Sequence, residues 1–141
     1  MYTFDRVKVV ELALRVPLAT AFLSAVADRF GWWAPLGQGS WGSMGAFTAY
    51  THQLIPLASG WLLSVIVWAS TAAEVILAVL LLIGWRPALV GAATCLLLIM
   101  FGASMAVSIG LEAPFSYSVF SAASAGAAYA ILGTRSPSHT S

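Results

Sequence analysis

The stretch ELALRVPLATAFLSAVADRF, residues 11–30, decides the fold of this 141-residue chain because it supports two incompatible interpretations. It follows a short basic start, has an apolar middle and reaches the small-residue motif Ala-Val-Ala just before Asp28, which is how a cleavable signal peptide ends. However, Glu11 and Arg15 leave only nine uncharged residues, 16–24, as its apolar core. We therefore predict a retained transmembrane helix, whose charged residues must then find partners.

The composition of the whole chain is that of a membrane protein. Hydrophobic residues make up 60% and charged residues 8%, with a mean hydropathy of +0.91, whereas soluble domains carry roughly 25% charged residues. The length leaves room for about four spans of about 20 residues. A net charge of +1 excludes a large basic surface for nucleic acid, and the single Cys95 excludes an internal disulfide.

We predict an all-α, integral membrane four-helix bundle formed by a single domain, residues 1–133, followed by a disordered cytoplasmic tail, residues 134–141. The predicted spans are residues 9–30, 61–83, 88–110 and 115–132. The motif Gly-Trp-Arg-Pro between the second and third spans predicts a tight turn, with the proline opening the next helix. These two spans should therefore form an antiparallel hairpin.

The long first loop, residues 31–60, is rich in tryptophan and glycine. In its second half Met44, Phe47, Tyr50 and Leu54 recur at three- or four-residue intervals, which predicts a short amphipathic or re-entrant helix. The tryptophans of this region match the enrichment of tryptophan at bilayer surfaces.

The positive residues near the span ends set the predicted orientation. With four spans, Arg6, Lys8, Arg86 and Arg135 lie on one side and only Arg29 on the other. The positive-inside rule then places both termini in the cytoplasm, with the first loop outside.

Charged residues inside the spans predict a buried polar network. Counted from the cytoplasmic ends of their spans, Arg15 and Glu74 lie at depths that agree within about 5 Å. We therefore predict an Arg15–Glu74 pair, with Glu11 one turn away on the same face. The network could fix helix register or form a ligand or proton site, and its spacing favours neither interpretation.

The outer end of the bundle should collect a second polar cluster, formed by Asp28, Arg29, His52, Glu112 and Tyr117. Asp28 and Arg29 are expected at the outer surface, where charge is less costly, and helical phase turns them toward different neighbours. Because no two residues have a recognised metal-ligand spacing, interfacial hydrogen bonding is the preferred interpretation and no metal is expected.

The fourth predicted span carries small residues at almost every turn, with Ala122, Gly126 and Ala130 at four-residue intervals. Such a stripe allows close helix packing in lipid. Packing inside the bundle is preferred over a homodimer seam. Cys95 lies mid-span among apolar residues, where a thiol is unreactive.

Three segments, FLSAVADRFG, TAAEVILAVLLLIGWR and GLEAPFSYSVFSAA, resemble in order the DoxX family of small bacterial membrane proteins. The more specific matches are a second-span Glu before a Gly-x-Arg turn, and Ala-Pro-x-x-Tyr-Ser-Val-Phe. The resemblance implies a four-helix bundle in the cytoplasmic membrane. Glu112 departs from the pattern, whereas the family-like positions are Arg15, Asp28, Glu74, Arg86, Pro114, Tyr117 and Ser118.

What the resemblance implies about function is a link to redox and sulfur metabolism, since one branch resembles the membrane subunit of a thiosulfate-quinone oxidoreductase. The first hypothesis is therefore a redox-associated subunit that binds quinone or a small amphipathic ligand, or that anchors an electron-transfer partner. The alternatives are a structural subunit of a larger membrane complex and a small-solute transport module. The lipid bilayer and a homo-oligomer or membrane complex are the expected partners. No motif for a nucleophile, metal or dinucleotide supports an autonomous enzyme or names a catalytic residue.

Overall fold

The computed structural model describes residues 2–135, with side chains described from Arg6 onward. Within this part of the chain every regular element is helical. A short 3-10 turn, Ala34–Leu36, lies in the first loop. The α-helices are α1 (Tyr2–Arg29), α2 (Met44–Leu54), α3 (Gly60–Ile83), α4 (Pro87–Ile109), α5 (Glu112–Ser116) and α6 (Val119–Thr134).

Three of these helices are long and apolar enough to cross a membrane. They are α1 from Arg6 onward, α3 and α4, with 24, 24 and 23 residues. At about 1.5 Å per residue each reaches about 35 Å, which exceeds the roughly 30 Å of a hydrocarbon core. By length and composition these helices indicate a multi-pass membrane protein, and they coincide with the first three predicted spans. Pro87 opens α4 as expected.

The fourth predicted span, residues 115–132, is not one helix. It is divided into the five-residue α5 and the 16-residue α6 by Tyr117 and Ser118. Ser118 has a left-handed backbone, with φ of 56°, which an α-helix cannot accommodate. α6 alone is therefore about 24 Å long. It continues to Thr134, and residues 136–141 of the predicted tail lie outside the described residues.

The helix predicted in the first loop is present as α2. Ser43 caps it, because the side chain of Ser43 accepts a hydrogen bond from the backbone N–H of Ala46 at 3.1 Å. Phe47 and Thr51 form its buried face. Since α2 packs against both α3 and α4, it folds back onto the bundle.

The small-residue stripe of α6 packs inside the bundle, as preferred from the sequence. α4 makes its most extensive contact with α6. A Cβ on Gly91 would lie 2.6 Å from the backbone nitrogen of Ala130 and 2.7 Å from the carbonyl oxygen of Gly126. A Cβ on Gly133 would similarly lie 2.6 Å from the nitrogen of Ala88. Only glycine permits this approach of the two backbones.

Among the described side chains of α1, the buried ones that form the core with α3 lie in the second half of the helix. Of the side chains from residue 6 to residue 17, none is buried. The packed core residues of the two helices are Leu18, Ala19 and Phe22 of α1 with Leu77, Ala78 and Leu81 of α3. We call the end of the bundle that carries the first loop and α5 the loop end. The end that carries the Gly84–Pro87 turn is the turn end.

Candidate functional site

A cavity of about 680 Å³ lies at the loop end, enclosed by α1, α2, α3, α4, the start of α6 and the loop at residues 38–41. Most of its lining side chains are aliphatic or aromatic. Several lining residues, among them Ser40 and Tyr117, are exposed, so the cavity is open on the side of the loop. The aromatic members of the lining are Phe22, Trp33, Trp41, Phe47, Tyr50, Phe101 and Tyr117.

A buried ion pair stands in the wall of this cavity. Nη2 of Arg29 donates to Oε1 of Glu74 at 2.9 Å and lies 2.8 Å from Oε2. Nη1 of Arg29 donates to the hydroxyl of Thr71 at 2.8 Å. The side chains of Arg29 and Glu74 are each 2% exposed. The pair therefore compensates two charges that would each be costly in an apolar interior.

The predicted Arg15–Glu74 pair is wrong, because Glu74 bonds to Arg29. The guanidinium of Arg15 instead packs against Gly84, the residue that ends α3. Gly84 lies ten residues, or about 15 Å, beyond Glu74 along α3. Hydropathy places the ends of the two spans level with each other, which would bring Arg15 to the depth of Glu74. In the structure α1 is displaced toward the turn end, so its last residue meets the middle of α3.

Arg15 and Glu11 are therefore separate from the cavity. Neither residue lines it. Nε of Arg15 is buried and makes no hydrogen bond, while its terminal nitrogens face the C-terminal end of α3. The carbonyl groups at a helix C-terminus carry partial negative charge, which offsets the charge of a nearby guanidinium. In place of the polar network expected around Arg15, the structure has a contact between Arg15 and the C-terminal end of α3, at the turn end.

Arg29 does not extend to an outer surface as expected, because α2 and the loop cover it. Its Cζ lies 3.7 Å from the ring centroid of Phe47 and 5.5 Å from that of Trp41. These cation–π contacts add to the ion pair, and they are stronger where water is excluded. They tie α2 and the loop to the end of α1.

Asp28 organises the loop that covers the cavity. Its carboxylate accepts three backbone N–H groups, from Ser40 and Trp41 at 2.9 Å and from Gly42 at 3.2 Å. Gly39 passes directly against this carboxylate with φ of 116°, where a side chain would collide with it. Asp28 and Arg29 thus serve different neighbours, as helical phase predicted. Asp28 holds the loop and Arg29 holds α3.

A second attachment of the loop comes from Trp33. Its indole Nε1 donates to the carbonyl oxygen of Ser24 at 3.2 Å. Trp33 and Trp41 are half-buried and line the cavity, whereas Trp32 and Trp61 are exposed, as interfacial tryptophans are. The tryptophans of the loop therefore have two roles, which their sequence positions alone do not separate.

The remaining residues of the expected outer cluster divide into two groups. Tyr117 lines the cavity, but His52 and Glu112 do not. Nδ1 of His52 lies 2.8 Å from the carbonyl oxygen of Ala58, and Glu112 accepts a hydrogen bond from Ser116. Among the described residues, no three His, Cys, Asp or Glu side chains come close enough to hold a metal ion.

Two phenol groups supply hydrogen-bonding capacity at the cavity. Tyr50 and Tyr117 both line it, from α2 and from the break between α5 and α6. Burial of the Tyr50 side chain raises its pKa above the ordinary value of 10.0, and the neighbouring phenol of Tyr117 raises it further by a smaller amount. Tyr50 is therefore neutral at physiological pH and can donate or accept a hydrogen bond.

Sequence reasoning found Asp28, Arg29, Glu74 and Tyr117 as functional candidates but missed the residues that surround them. The sequence predicts Trp33 and Trp41 at the membrane surface, and it predicts Tyr50 only on one face of a helix. Thr71 is not among the residues predicted from the sequence. Its position three residues before Glu74, on the same face of α3, is the signal that could have identified it.

Comparison with known proteins identifies no relative of this chain. No family model, curated protein or solved structure matches the chain.

Proposed function

We propose that the chain is a DoxX-like protein of the bacterial inner membrane that binds a quinone, or another small neutral amphipathic molecule, in the cavity at the loop end. In this proposal it acts as the membrane subunit of a redox system or anchors an electron-transfer partner. The observation that carries the proposal is the cavity itself. Its volume of about 680 Å³ and its mostly apolar lining with a few polar groups are typical of small-molecule sites.

The charges in the wall favour a neutral ligand. The wall contains two carboxyl groups, of Asp28 and Glu74, and the single guanidinium of Arg29. All three are engaged by protein groups, so none is free to pair with a charged ligand. The excess of carboxyl groups also disfavours an anion. Apolar contact would hold such a ligand, and the hydroxyls of Tyr50 and Tyr117 would bond to its polar groups.

The proposal includes a four-helix arrangement in which α5 and α6 together complete the fourth crossing. The close packing of α6 along α4 supports it. Both termini are then cytoplasmic, because Arg6, Arg86 and Arg135 lie at the turn end and the loop end faces outward. Since α6 uses its small-residue stripe against α4, a homo-oligomer would have to form through another surface.

A binding measurement with a matched pair of variants tests this function. Ser70 lines the cavity from α3, while Ser64, on the same helix, is exposed and does not line it. We expect a short-chain quinone to quench the tryptophan fluorescence of the purified protein in a saturable way. Ser70→Phe fills the cavity and should weaken binding by about tenfold or more, whereas Ser64→Phe should change it by less than about twofold.

Two results would refute the proposed site. One is the absence of saturable binding to the wild-type protein. The other is an equal loss of affinity in the two serine variants, since only one of them alters the cavity.

A further inference from the structure

A second hollow of about 400 Å³ lies on the outside of the bundle, between α3 and α4. Among the described residues that line it, none has a polar side chain. Leu77 is buried at its floor, whereas Ile76 and Leu96 are exposed at its rim. We call this hollow the α3–α4 groove. Its lining includes Ala73, Ile76 and Leu77 of α3 with Ala93, Leu96 and Leu97 of α4.

The groove exists because α4 packs closely on α6 and less closely on α3. The glycine contacts at Gly91 and Gly126 bring the backbones of α4 and α6 together. On the opposite side of α4, Ala93 of α4 and Ala73 of α3 both line the groove, and their methyl side chains leave space between the two helices. A hollow at the middle of two apolar helices lies at the depth of the hydrocarbon core when those helices cross a membrane.

The groove and the cavity lie at the same height on the two sides of the seam between α3 and α4. On α3, Ala73 lines the groove and the next residue, Glu74, lines the cavity. On α4, the same alternation occurs at Met100 and Phe101, and again one turn earlier at Leu97 and Leu98. The side chains along this seam separate the interior cavity from the groove on the outside of the bundle.

We infer that the molecule bound in the cavity carries a long apolar tail, that this tail lies in the α3–α4 groove, and that the ligand exchanges with the membrane between these helices. This inference rests on the proposed function and adds the class of ligand, a tailed lipid-soluble molecule such as a polyprenyl quinone. A tail leaving the cavity toward the loop would enter water, where apolar surface is unfavourable. A tail leaving between α3 and α4 stays in hydrocarbon.

The geometry favours this tail over two other occupants. A bulk lipid acyl chain could enter the groove from the membrane, but it would not explain why the groove lies directly beside the cavity. A helix of a second copy, about 10 Å across with its side chains, would lie over the groove, whereas the groove itself is the space that small side chains leave between α3 and α4. A single flexible chain suits a narrow apolar groove.

The test compares two quinones with the same head group, one with a short side chain and one with several isoprenoid units. Both are titrated against the full-length protein in nanodiscs, with concentrations referred to lipid so that partitioning into the bilayer cancels. Ala73→Phe fills the groove. The matched control is Ala72→Phe, since Ala72 is the adjacent exposed residue and lines neither hollow. If Ala73→Phe does not fold, Ala93→Phe places the same ring in the groove from α4.

We expect the wild-type protein to bind the long-tailed quinone more tightly than the short one. The groove variant should lose about tenfold in affinity for the long-tailed quinone and keep its affinity for the short one, while Ala72→Phe should keep both. Equal affinities for the two quinones in the wild type, or an equal loss of both in the groove variant, would overturn the inference. So would a dimer that Ala73→Phe dissociates, because a second copy would then occupy the groove.

The short-chain quinone separates the two proposals. If it fails to bind the wild type, the proposed function fails and the tail site fails with it. If it binds while tail length has no effect, the cavity remains a binding site and only the groove loses its assigned role.

Discussion

Replacing Glu74 by methionine should leave the guanidinium of Arg29 buried without its counter-charge. In the wild type that guanidinium bonds to Glu74 at 2.9 Å and to Thr71 at 2.8 Å, and both members of the ion pair are 2% exposed. Removing one partner of such a pair costs about 3–5 kcal/mol in other proteins, since the remaining charge stays desolvated. We expect a loss of that size in the free energy of unfolding for Glu74→Met and for Arg29→Met.

The double variant Arg29→Met/Glu74→Met should recover much of this loss. Two unbranched apolar side chains replace the pair, and such replacements are often close to neutral. The three variants together therefore define a coupling energy between the two positions of about 3 kcal/mol or more. Cation–π contact between Arg29 and Phe47 is lost in the double variant, which limits the recovery.

A second cycle serves as the control. Arg15 packs against Gly84, about 15 Å along α3 from Glu74. Because residues without a shared contact contribute additively to stability, the coupling between Arg15 and Glu74 should not exceed about 0.5 kcal/mol. The two cycles thus distinguish the observed pair from the one expected by aligning the ends of the spans.

Reversible unfolding in mixed micelles, followed by circular dichroism, provides the free energies for both cycles. The reasoning is refuted if Arg15 couples to Glu74 more strongly than Arg29 does. It is also refuted if the coupling between Arg29 and Glu74 is within the error of zero, since two charges in buried contact cannot be energetically independent.

Three further expectations concern the loop, the helix seam and the effect of pH. Asp28→Ala removes the acceptor of three loop amides, and a loss of about 3 kcal/mol in local stability should accelerate their hydrogen exchange by about 100-fold. Gly91→Ala should lower unfolding stability by about 1–3 kcal/mol, because its Cβ would lie 2.6 Å from a backbone nitrogen of α6, whereas Gly45→Ala on α2, whose Cβ would lie 3.9 Å from the hydroxyl of Ser43, should not. Burial, and to a smaller extent Tyr117, raises the pKa of Tyr50, so the folded state keeps the phenol proton of Tyr50 to a higher pH than the unfolded state does. Stability should therefore fall as pH rises above about 10, less steeply in Tyr50→Phe, in pH-dependent unfolding curves.

Much of the helical architecture follows from local rules that a sequence displays. The three long apolar segments, the proline at the start of α4 and the amphipathic spacing of α2 each depend on residues close together in the chain. The small residues of α6 likewise determine how closely that helix packs on α4. These features could be predicted because no distant contact overrides them.

The partner of Glu74 could not be predicted, because it depends on how far α1 extends along α3. That register is set when α2 and the loop fold over the end of α1 and occupy space that a longer span would fill. The loop in turn depends on the carboxylate of Asp28 and on the positive φ of Gly39 and Gly42. Hydropathy contains none of this information, since it records where apolar residues lie and not which helices they meet.

The break at Ser118 is a second feature that could not be predicted from the length of the apolar segment. Residues 115–132 are apolar enough to suggest one continuous helix, yet Ser118 takes a left-handed backbone that starts α6 anew. The break places Tyr117 at the rim of the cavity. A local departure from regular helix thus supplies one of the two phenols of the candidate site, which is a common use of irregular backbone in membrane proteins.

Photoaffinity labelling with an azido-substituted short-chain quinone, followed by peptide mapping, tests most directly whether the cavity at the loop end is the binding site. We expect saturable labelling on the loop and α2, at Trp41 and Tyr50, and at Tyr117 beyond α4, with unlabelled quinone suppressing all three. Suppressible labelling that falls instead on the first half of α1, around Arg15, would contradict this assignment and place the site at the turn end.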